Sequence, residues 1–407
     1  MIVEDPSRVG VAGPLEAHAA GFAAELDRLG YASGSACGQM FLMAHVSRWL
    51  DAEGLDAGGL SPEASDRFLA ARRAAGYAQL LSPKALSPLL GYLRRLGAAP
   101  EAPAPAPAGA AEELLARYRR YLVTERGTGA ATAADYAAKT RSFLAARQKA
   151  GALDLAGLTA ADVTAFIVES CPSMRKGTAK LTVTALRSLL GYLHVAGDIP
   201  GPLAWAVPAV ATWRLASRPA PLAPGQAAAM LAGCDTGTAS GRRDLAMLTL
   251  LARLGLRAGE VAALALGDID WRAGEITVTG KGRRSERLPL PADAGEAVAD
   301  YLRDGRPEAF EGTRRVFLRI PAPHRGLTTG GVTMAVLAAA QRAGLGTVHA
   351  HRLRHTAATG MLRAGASLPE VGQVLRHRRL LSTAIYAKTD VPALRALARP
   401  WPAGGAA

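Results

Sequence analysis

The sequence predicts a multidomain protein with two all-α bundles, followed by a mainly α, α+β domain that contains a small antiparallel sheet. Its 407 residues are too many for one compact core. Two proline-rich stretches divide the chain into three pieces. Apolar residues recur at helical spacing through the first two pieces, whereas the third piece adds an alternating, strand-like pattern.

The domain boundaries are expected at the two proline-rich stretches. PEAPAPAPAG occupies positions 100–109, and RLASRPAPLAPGQ occupies positions 214–226. Compositions of this kind are typical of extended linkers. We therefore expect domains at 1–99, 111–213 and 227–407, joined by linkers at 100–110 and 214–226.

The first two pieces resemble each other in sequence. SPLLGYLRRLGAAP (87–100) aligns with RSLLGYLHVAGDIP (187–200), and GGLSPEASDRFLA (58–70) aligns with AGLTAADVTAFIV (156–168). Duplication of one small helical bundle explains this similarity. Chance similarity between alanine-rich helices is the alternative.

The third piece carries mixed signals. Residues 241–270 predict two helices separated by Gly255, because glycine commonly ends a helix. GEITVTGKGRRSERLPL (274–290) predicts a hairpin with a Gly-Lys-Gly turn. The remaining expected elements are helices at 292–303 and 330–343, a short strand RVFL (315–318) between them, and a helix that carries VHAHRLRHTAATGMLRAGA (348–366).

The charge favours a polyanionic partner. The formal net charge is +14, which is typical of nucleic-acid-binding proteins. Residues 1–110 carry −2, residues 111–213 carry +4 and residues 214–407 carry +12. A GC-rich genome that favours arginine codons is the alternative, although it does not explain why the excess lies in the last half.

Composition and local pattern also limit where the protein acts. No apolar run is long enough to span a membrane, and the first ten residues lack the order of a secretion signal. Cys37, Cys171 and Cys234 are too scattered for a disulfide framework or a zinc site. We therefore expect a cytoplasmic protein with no membrane partner.

Three polar residues of the third piece are candidates for chemistry. Arg257 lies among leucines in LGLRAGE, and Glu260 is its natural partner; an ordinary structural ion pair is the alternative. Lys281 is expected at the tip of the predicted hairpin, where most lysines are simply solvated.

The helix at 348–366 adds a histidine and an arginine on one face. His351 and Arg354 are three residues apart. His355, one turn after His351, is interpreted as a packing or capping residue. A metal site built from histidines is the alternative, but no cluster of acidic or cysteine ligands lies nearby in the sequence and the surroundings are basic.

His377 and Tyr386 complete the set. Singly, each is ordinary. Together with the preceding residues, they provide what strand transfer on DNA requires: arginines and a histidine to bind phosphate oxygens, a tyrosine nucleophile and a lysine to protonate the leaving oxygen. Because a phosphotyrosine bond keeps the energy of the broken phosphodiester, we expect neither a metal nor another cofactor.

This order of motifs resembles the tyrosine recombinases, which include phage integrases and Xer-type recombinases. GLRAGE, GKG, HRLRH and LRHRRLLSTAIY fill all six positions of that family's signature, and the likeness extends over roughly residues 112–397. It implies that Tyr386 attacks the scissile phosphate and forms a 3′-phosphotyrosyl link. It also implies a catalytic set of Arg257, Lys281, His351, Arg354, His377 and Tyr386, with Glu260 in support.

The roles within this set follow from the resemblance. Arg257, Arg354 and His377 would stabilise the pentacoordinate phosphate. Lys281 would be the general acid for the 5′-oxygen, and His351 would assist proton transfer at the tyrosine.

The resemblance also implies the partners. The helical bundles would be of the SAM-like core-binding type and would clamp double-stranded DNA together with the catalytic domain, in a synaptic homo-tetramer. The candidate DNA contacts are Arg175, Lys176, Lys180 and Arg187. The first bundle, with its charge of −2, is expected to serve protein contacts or an auxiliary DNA contact.

The function that we expect is site-specific recombination, for integration or excision of a mobile element. A catalytically silent DNA-binding protein of the same fold and a type IB topoisomerase-like enzyme are the alternatives. A metal-dependent nuclease would need carboxylates that this region lacks.

Overall fold

The computed structural model describes residues 5–101, 109–149, 152–210, 221–280, 284–308, 312–377, 383, 385 and 386. They group into two compact units, one formed by residues 1–101 with 217–407 and the other by residues 102–216. The first unit contains separate hydrophobic cores for its N-terminal and C-terminal parts. The three-domain organisation stays a prediction.

The N-terminal part of the first unit is a four-helix bundle. Its helices are α1 (Ala19–Arg28), α2 (Ser33–Ala52), α3 (Pro62–Ala74) and α4 (Pro83–Arg95). Each helix contributes large apolar side chains to one core. Ser61 caps α3 by accepting a hydrogen bond from the backbone N–H of Ala64.

The second unit is also a helical bundle. Its helices are α5 (Ala110–Thr124), α6 (Ala130–Ala146), α7 (Ala160–Ser170) and α8 (Lys176–Val195). Two short antiparallel strands, β1 (Gln148–Lys149) and β2 (Ala152–Leu153), were not predicted. A capping box between Thr159 and Asp162 fixes the start of α7.

The similarity between the two bundles extends to burial. In α4 and α8, the repeated LLGYL segment and the leucine three residues before it place four leucines on the buried face at identical spacing. These are Leu86, Leu89, Leu90 and Leu93 in α4, and Leu186, Leu189, Leu190 and Leu193 in α8. The shared burial pattern supports the duplication hypothesis.

The C-terminal part of the first unit packs helices around a small sheet. The helices are α9 (Gln226–Ala232), α10 (Ala239–Leu254), α11 (Ala258–Ala263), α12 (Ala292–Asp304), α13 (Thr329–Arg342), α14 (Ala350–Arg363) and α15 (Leu368–Val374). The strands β3 (Ile269–Asp270), β4 (Glu275–Thr279) and β5 (Ser285–Pro289) form an antiparallel sheet in sequence order. In the register of the predicted hairpin, Ile276 lies opposite Leu288.

One predicted strand is wrong. Residues 315–318 form two isolated bridges, Ala265 with Arg315 and Leu318 with Gly326, but no continuous ladder. Val316, Phe317 and Leu318 are all fully buried. The apolar run therefore reflects burial of consecutive side chains, which periodicity alone cannot distinguish from a strand.

Helix α10 organises the C-terminal part. It packs against α12, α13 and α14, and most of its residues from Ala246 to Leu254 are buried. It ends at Gly255, whose φ of 58° lies in the left-handed region. This turn brings Arg257 towards α14. Within the described ranges, no helix is both long and apolar enough to cross a membrane.

Replacing Gly255 is expected to destabilise the fold for two separate reasons. A Cβ there would lie 2.6 Å from Leu375 Cδ2, and its left-handed backbone disfavours other residues by about 1–2 kcal/mol. Gly274 has a similar φ of 64° but no heavy atom within 4 Å of a built Cβ. Gly255→Ala should therefore lower the free energy of unfolding by about 1–3 kcal/mol more than Gly274→Ala. Equal losses in urea unfolding would contradict this packing argument.

Candidate active site

Glu260 lies buried between two arginines. The backbone N–H of Arg257 donates to Glu260 Oε2 at 2.8 Å, and Arg257 Nη1 donates to Oε1 at 2.5 Å. Arg376 Nη2 donates to Oε2 at 2.7 Å. Burial by itself would raise the pKa of Glu260, but the backbone hydrogen bond and the charges of Arg376 and Arg257 outweigh it and lower the pKa. One ionised carboxylate therefore orients two guanidinium groups.

Arg376 is a member of the site that the sequence analysis missed. Its backbone has a φ of 55°, which is uncommon for a residue other than glycine. Its side chain is 4% exposed, and its Nε is buried with no hydrogen-bond partner in the described part of the chain. Its position directly before His377 was the only available signal.

Arg354 is buried where two helices end. Its Nη1 donates to the carbonyl oxygen of Gly255 at 2.5 Å, and its Nη2 donates to that of Leu375. Both carbonyls follow helix C-termini, which attract positive charge. Burial, and then the charges of Arg257 and Arg376, lower the pKa of Arg354 to about 10, so it remains charged at neutral pH.

Tyr386 lies beside this cluster of cations. It is 1% exposed, and its hydroxyl is 2.9 Å from Nδ1 of His355. Burial raises the pKa of Tyr386, while the charges of Arg354 and Arg257 act in the opposite direction. A phenol near guanidinium groups is the arrangement in which a phenolate can develop.

His377 flanks the tyrosine. The two rings are parallel to within 2°, with centroids 6.2 Å apart, and His377 Nδ1 lies 2.8 Å from Thr383 Oγ1. Burial lowers the pKa of His377 to about 4, with further contributions from Arg354, Arg257 and Arg376. The ring is therefore neutral at physiological pH and can both donate and accept a hydrogen bond.

His351 and His355 follow one another along α14. Their rings meet edge-on with centroids 4.3 Å apart. His351 lies on the exposed side, and partial loss of water around its ring, followed by the charges of Arg354 and Arg257, lowers its pKa. The contact of His355 with Tyr386 was not predicted from the sequence, although its spacing of four residues from His351 places both on one helix face.

The structure therefore brings most of the predicted catalytic set together. Arg257, Glu260, His351, Arg354, His377 and Tyr386 share one site. Lys281 lies outside the described residues. No group of three or more histidine, cysteine or acidic residues placed to hold a metal ion occurs in the part of the chain that the structure describes.

The four candidate DNA contacts lie on the second unit, three of them at or near the start of α8 and Arg187 in the middle of that helix. Arg175, Lys176 and Lys180 are exposed. Arg187 is also exposed, but its Nη2 donates to the carbonyl oxygen of Val207 at 2.7 Å. Arg175, Lys176 and Lys180 are thus exposed to solvent, whereas Arg187 also connects α8 to the end of the second unit through a hydrogen bond.

Comparison with known proteins identifies the family. Residues 221–391 match the model of the phage integrase family. A Sinorhizobium fredii (strain NBRC 101917 / NGR234) protein named as the integrase/recombinase y4rA is 42% identical over 394 residues, which cover 96% of this chain and 95% of that protein. The tyrosine recombinase XerD of Mycobacterium tuberculosis (strain CDC 1551 / Oshkosh) is 32% identical over 302 residues, which cover 69% of this chain and 94% of XerD.

The fold agrees with these relatives. The structure of XerH site-specific recombinase bound to a palindromic difH substrate, in a post-cleavage complex, aligns with a TM-score of 0.54 at 18% identity, covering 82% of this chain and 93% of XerH. The chain belongs to the phage integrase family of tyrosine recombinases. It is a tyrosine-type site-specific recombinase.

The low pKa of His377 predicts acid sensitivity of the fold. The unfolded chain takes up this proton near pH 6.5, whereas the folded protein resists it until about pH 4. The stability from the neutral ring is complete above pH 6.5 and is lost as the pH falls towards 4. His377→Asn should therefore lose less unfolding free energy between pH 7.5 and pH 5 than the wild type does in urea titrations. An unchanged loss would contradict this, and His194→Asn, at an exposed histidine in α8, is the control.

Proposed function

We propose that Tyr386 cuts one DNA strand by attacking the scissile phosphate, forming a 3′-phosphotyrosyl bond and releasing a 5′-hydroxyl. The observation that carries this proposal is a group of three guanidinium groups beside one buried tyrosine, with a single carboxylate that binds two of them. The three arginine charges outnumber the single Glu260 carboxylate, so the site favours binding of an additional negative charge. A phosphodiester supplies that charge, and the tyrosine hydroxyl supplies the nucleophile.

The arginines differ in what they can contribute. The Arg257 side chain is 44% exposed and can bind non-bridging phosphate oxygens directly. Arg354 uses Nη1 and Nη2 on backbone carbonyls, so its contribution is mainly its positive charge. His377, neutral and beside the tyrosine, would donate a further hydrogen bond to the phosphate.

Two roles remain for residues near the leaving group and the surface. Lys281, expected at the tip of the β4–β5 hairpin, would protonate the 5′-oxygen as it leaves. His351, on the exposed side of the site, would assist proton transfer at the tyrosine. Because the phosphotyrosine conserves the bond energy, rejoining is the same reaction in reverse and needs neither a nucleotide nor a metal ion.

The second unit would bind the DNA backbone. Arg175, Lys176 and Lys180 are exposed next to the N-terminus of α8, where cations can contact phosphates without reading bases. Arg187 would add a weaker contact because its Nη2 already donates a hydrogen bond to the carbonyl oxygen of Val207. Double-stranded DNA is thus the proposed partner.

The wider setting is also part of this proposal. Strand exchange between two duplexes requires four cleavages, so we propose a homo-tetramer on synapsed DNA in the cytoplasm. The name of the y4rA relative includes integrase, which supports integration or excision of a mobile element. The first bundle would serve protein contacts or an auxiliary DNA contact.

Formation of a covalent adduct tests the proposal. The protein is incubated in EDTA with nicked suicide duplexes taken from the DNA that flanks its own gene, and adducts are resolved on a denaturing gel. The wild type should form an adduct, and Tyr386→Phe should form none, because the variant lacks the attacking oxygen. Tyr301→Phe removes the hydroxyl of another buried tyrosine outside the site and should retain the adduct.

Other outcomes separate the alternative functions. Specific DNA binding without an adduct in the wild type would indicate a silent DNA-binding protein. Relaxation of supercoiled plasmid without exchange between sites would indicate a topoisomerase-like activity. An adduct that persists in Tyr386→Phe would exclude this residue as the nucleophile.

A further inference from the structure

We propose that His355 is a second catalytic histidine, which holds the Tyr386 hydroxyl in place and accepts its proton as the tyrosine attacks. This inference rests on the proposed function and gives a role to a residue of the HRLRH motif that is not in the predicted catalytic set. The contact that supports it is direct, because His355 Nδ1 lies 2.9 Å from Tyr386 Oη. A general base that acts directly must lie within hydrogen-bonding distance of the atom whose proton it removes.

The surroundings fix the orientation of the His355 ring. The ring is half-buried and lies edge-on to Tyr386, with ring centroids 5.4 Å apart. It also packs edge-on against the ring of His351. His351, His355 and Tyr386 thus form a continuous row. His351 can contact entering DNA at the exposed end of this row, while His355 contacts the nucleophile at the buried end.

The electrostatics of the site keep His355 ready to accept a proton. Burial, and then the charges of His351 and Arg354, lower its pKa to about 4, so the ring is neutral at neutral pH. In the tautomer that carries its proton on Nε2, Nδ1 accepts the hydrogen bond of the Tyr386 hydroxyl. The other charged or titratable groups around the row are Arg257, Arg376, Glu260 and His377. A bound phosphodiester would offset the cations and raise the proton affinity of the ring. The base would therefore become stronger only when the substrate is present.

The proton and electron balance of this step is complete. The Tyr386 oxygen forms a bond to phosphorus, the bond from phosphorus to the 5′-oxygen breaks, and the phenolic proton moves to His355 Nδ1. Lys281 supplies the proton for the 5′-oxygen. In the rejoining step, the 5′-hydroxyl attacks the phosphotyrosine and gives its proton to the neutral Lys281 amine, while His355 returns its proton to the departing tyrosine.

The test compares variants of His355 on the nicked duplex that gives an adduct with the wild type. His355→Ala removes the contact. His355→Asn places an amide near the position of Nδ1, so it can hold the hydroxyl but cannot take up a proton at neutral pH. Both variants should slow adduct formation by about 10²–10⁴-fold if proton transfer is lost. His349→Asn, at an exposed histidine at the start of the same helix, is the matched control.

A fluorinated tyrosine at position 386 separates base catalysis from packing. Its phenol is more acidic and depends less on a base, so the slowing caused by His355→Asn should shrink at least about tenfold with this nucleophile. A purely structural role would give the same slowing with either tyrosine. Thermal unfolding of each variant verifies that it is folded.

Each outcome has one meaning. An adduct that His355→Asn forms at the wild-type rate, or slowing that the fluorinated tyrosine does not relieve, overturns the role of His355 and leaves the proposed function intact. If neither the wild type nor the fluorinated protein forms an adduct on DNA that it binds specifically, the proposed function fails, and this inference fails with it.

Discussion

The active site depends on the clamp that Glu260 makes between Arg257 and Arg376. This carboxylate is nearly inaccessible to water and accepts hydrogen bonds from two guanidinium groups and one backbone N–H. Glu260 and Arg376 form a buried ion pair, and removing one partner of such a pair typically costs about 3–5 kcal/mol, because the remaining charge is left uncompensated. The clamp joins the start of α11 to the turn before His377, so two distant segments of the chain are brought to one place.

The excess of positive charge around this clamp explains the state of the neighbouring groups. Arg354 adds a third guanidinium group, whose Nη1 and Nη2 donate to backbone carbonyls. Burial and these cations together keep His377 and His355 neutral, while the cations favour ionisation of Tyr386 against the effect of its burial. Three guanidinium groups and one carboxylate leave the described site with an excess of two positive charges. A phosphodiester would partly neutralise this excess, which would couple substrate binding to the strength of the nucleophile.

The fold class and the hairpin could be predicted from the sequence because their signals are local, whereas the site residues were grouped by the order of their motifs and by the family resemblance. Gly255 ends a helix by its own backbone freedom, and Arg257 with Glu260 forms a capping pair within four residues. Arg376 and His355 were missed because their roles depend on tertiary structure. The left-handed backbone of Arg376 and the approach of α14 to Tyr386 have no sequence signature. The strand wrongly expected at 315–318 shows the same limit, since burial on all sides imitates a strand pattern.

The most direct test of this account asks whether the arginine cluster recognises charge on the scissile phosphate. Adduct formation by the wild type and by Arg257→Ala would be measured on suicide duplexes with either a normal phosphate or a neutral methylphosphonate at the cleavage position. Because Arg257 would act by neutralising phosphate charge, Arg257→Ala should cause a large loss on the phosphate and a much smaller loss on the methylphosphonate. Equal losses on both substrates would show that Arg257 does not act by neutralising phosphate charge, and would contradict the account.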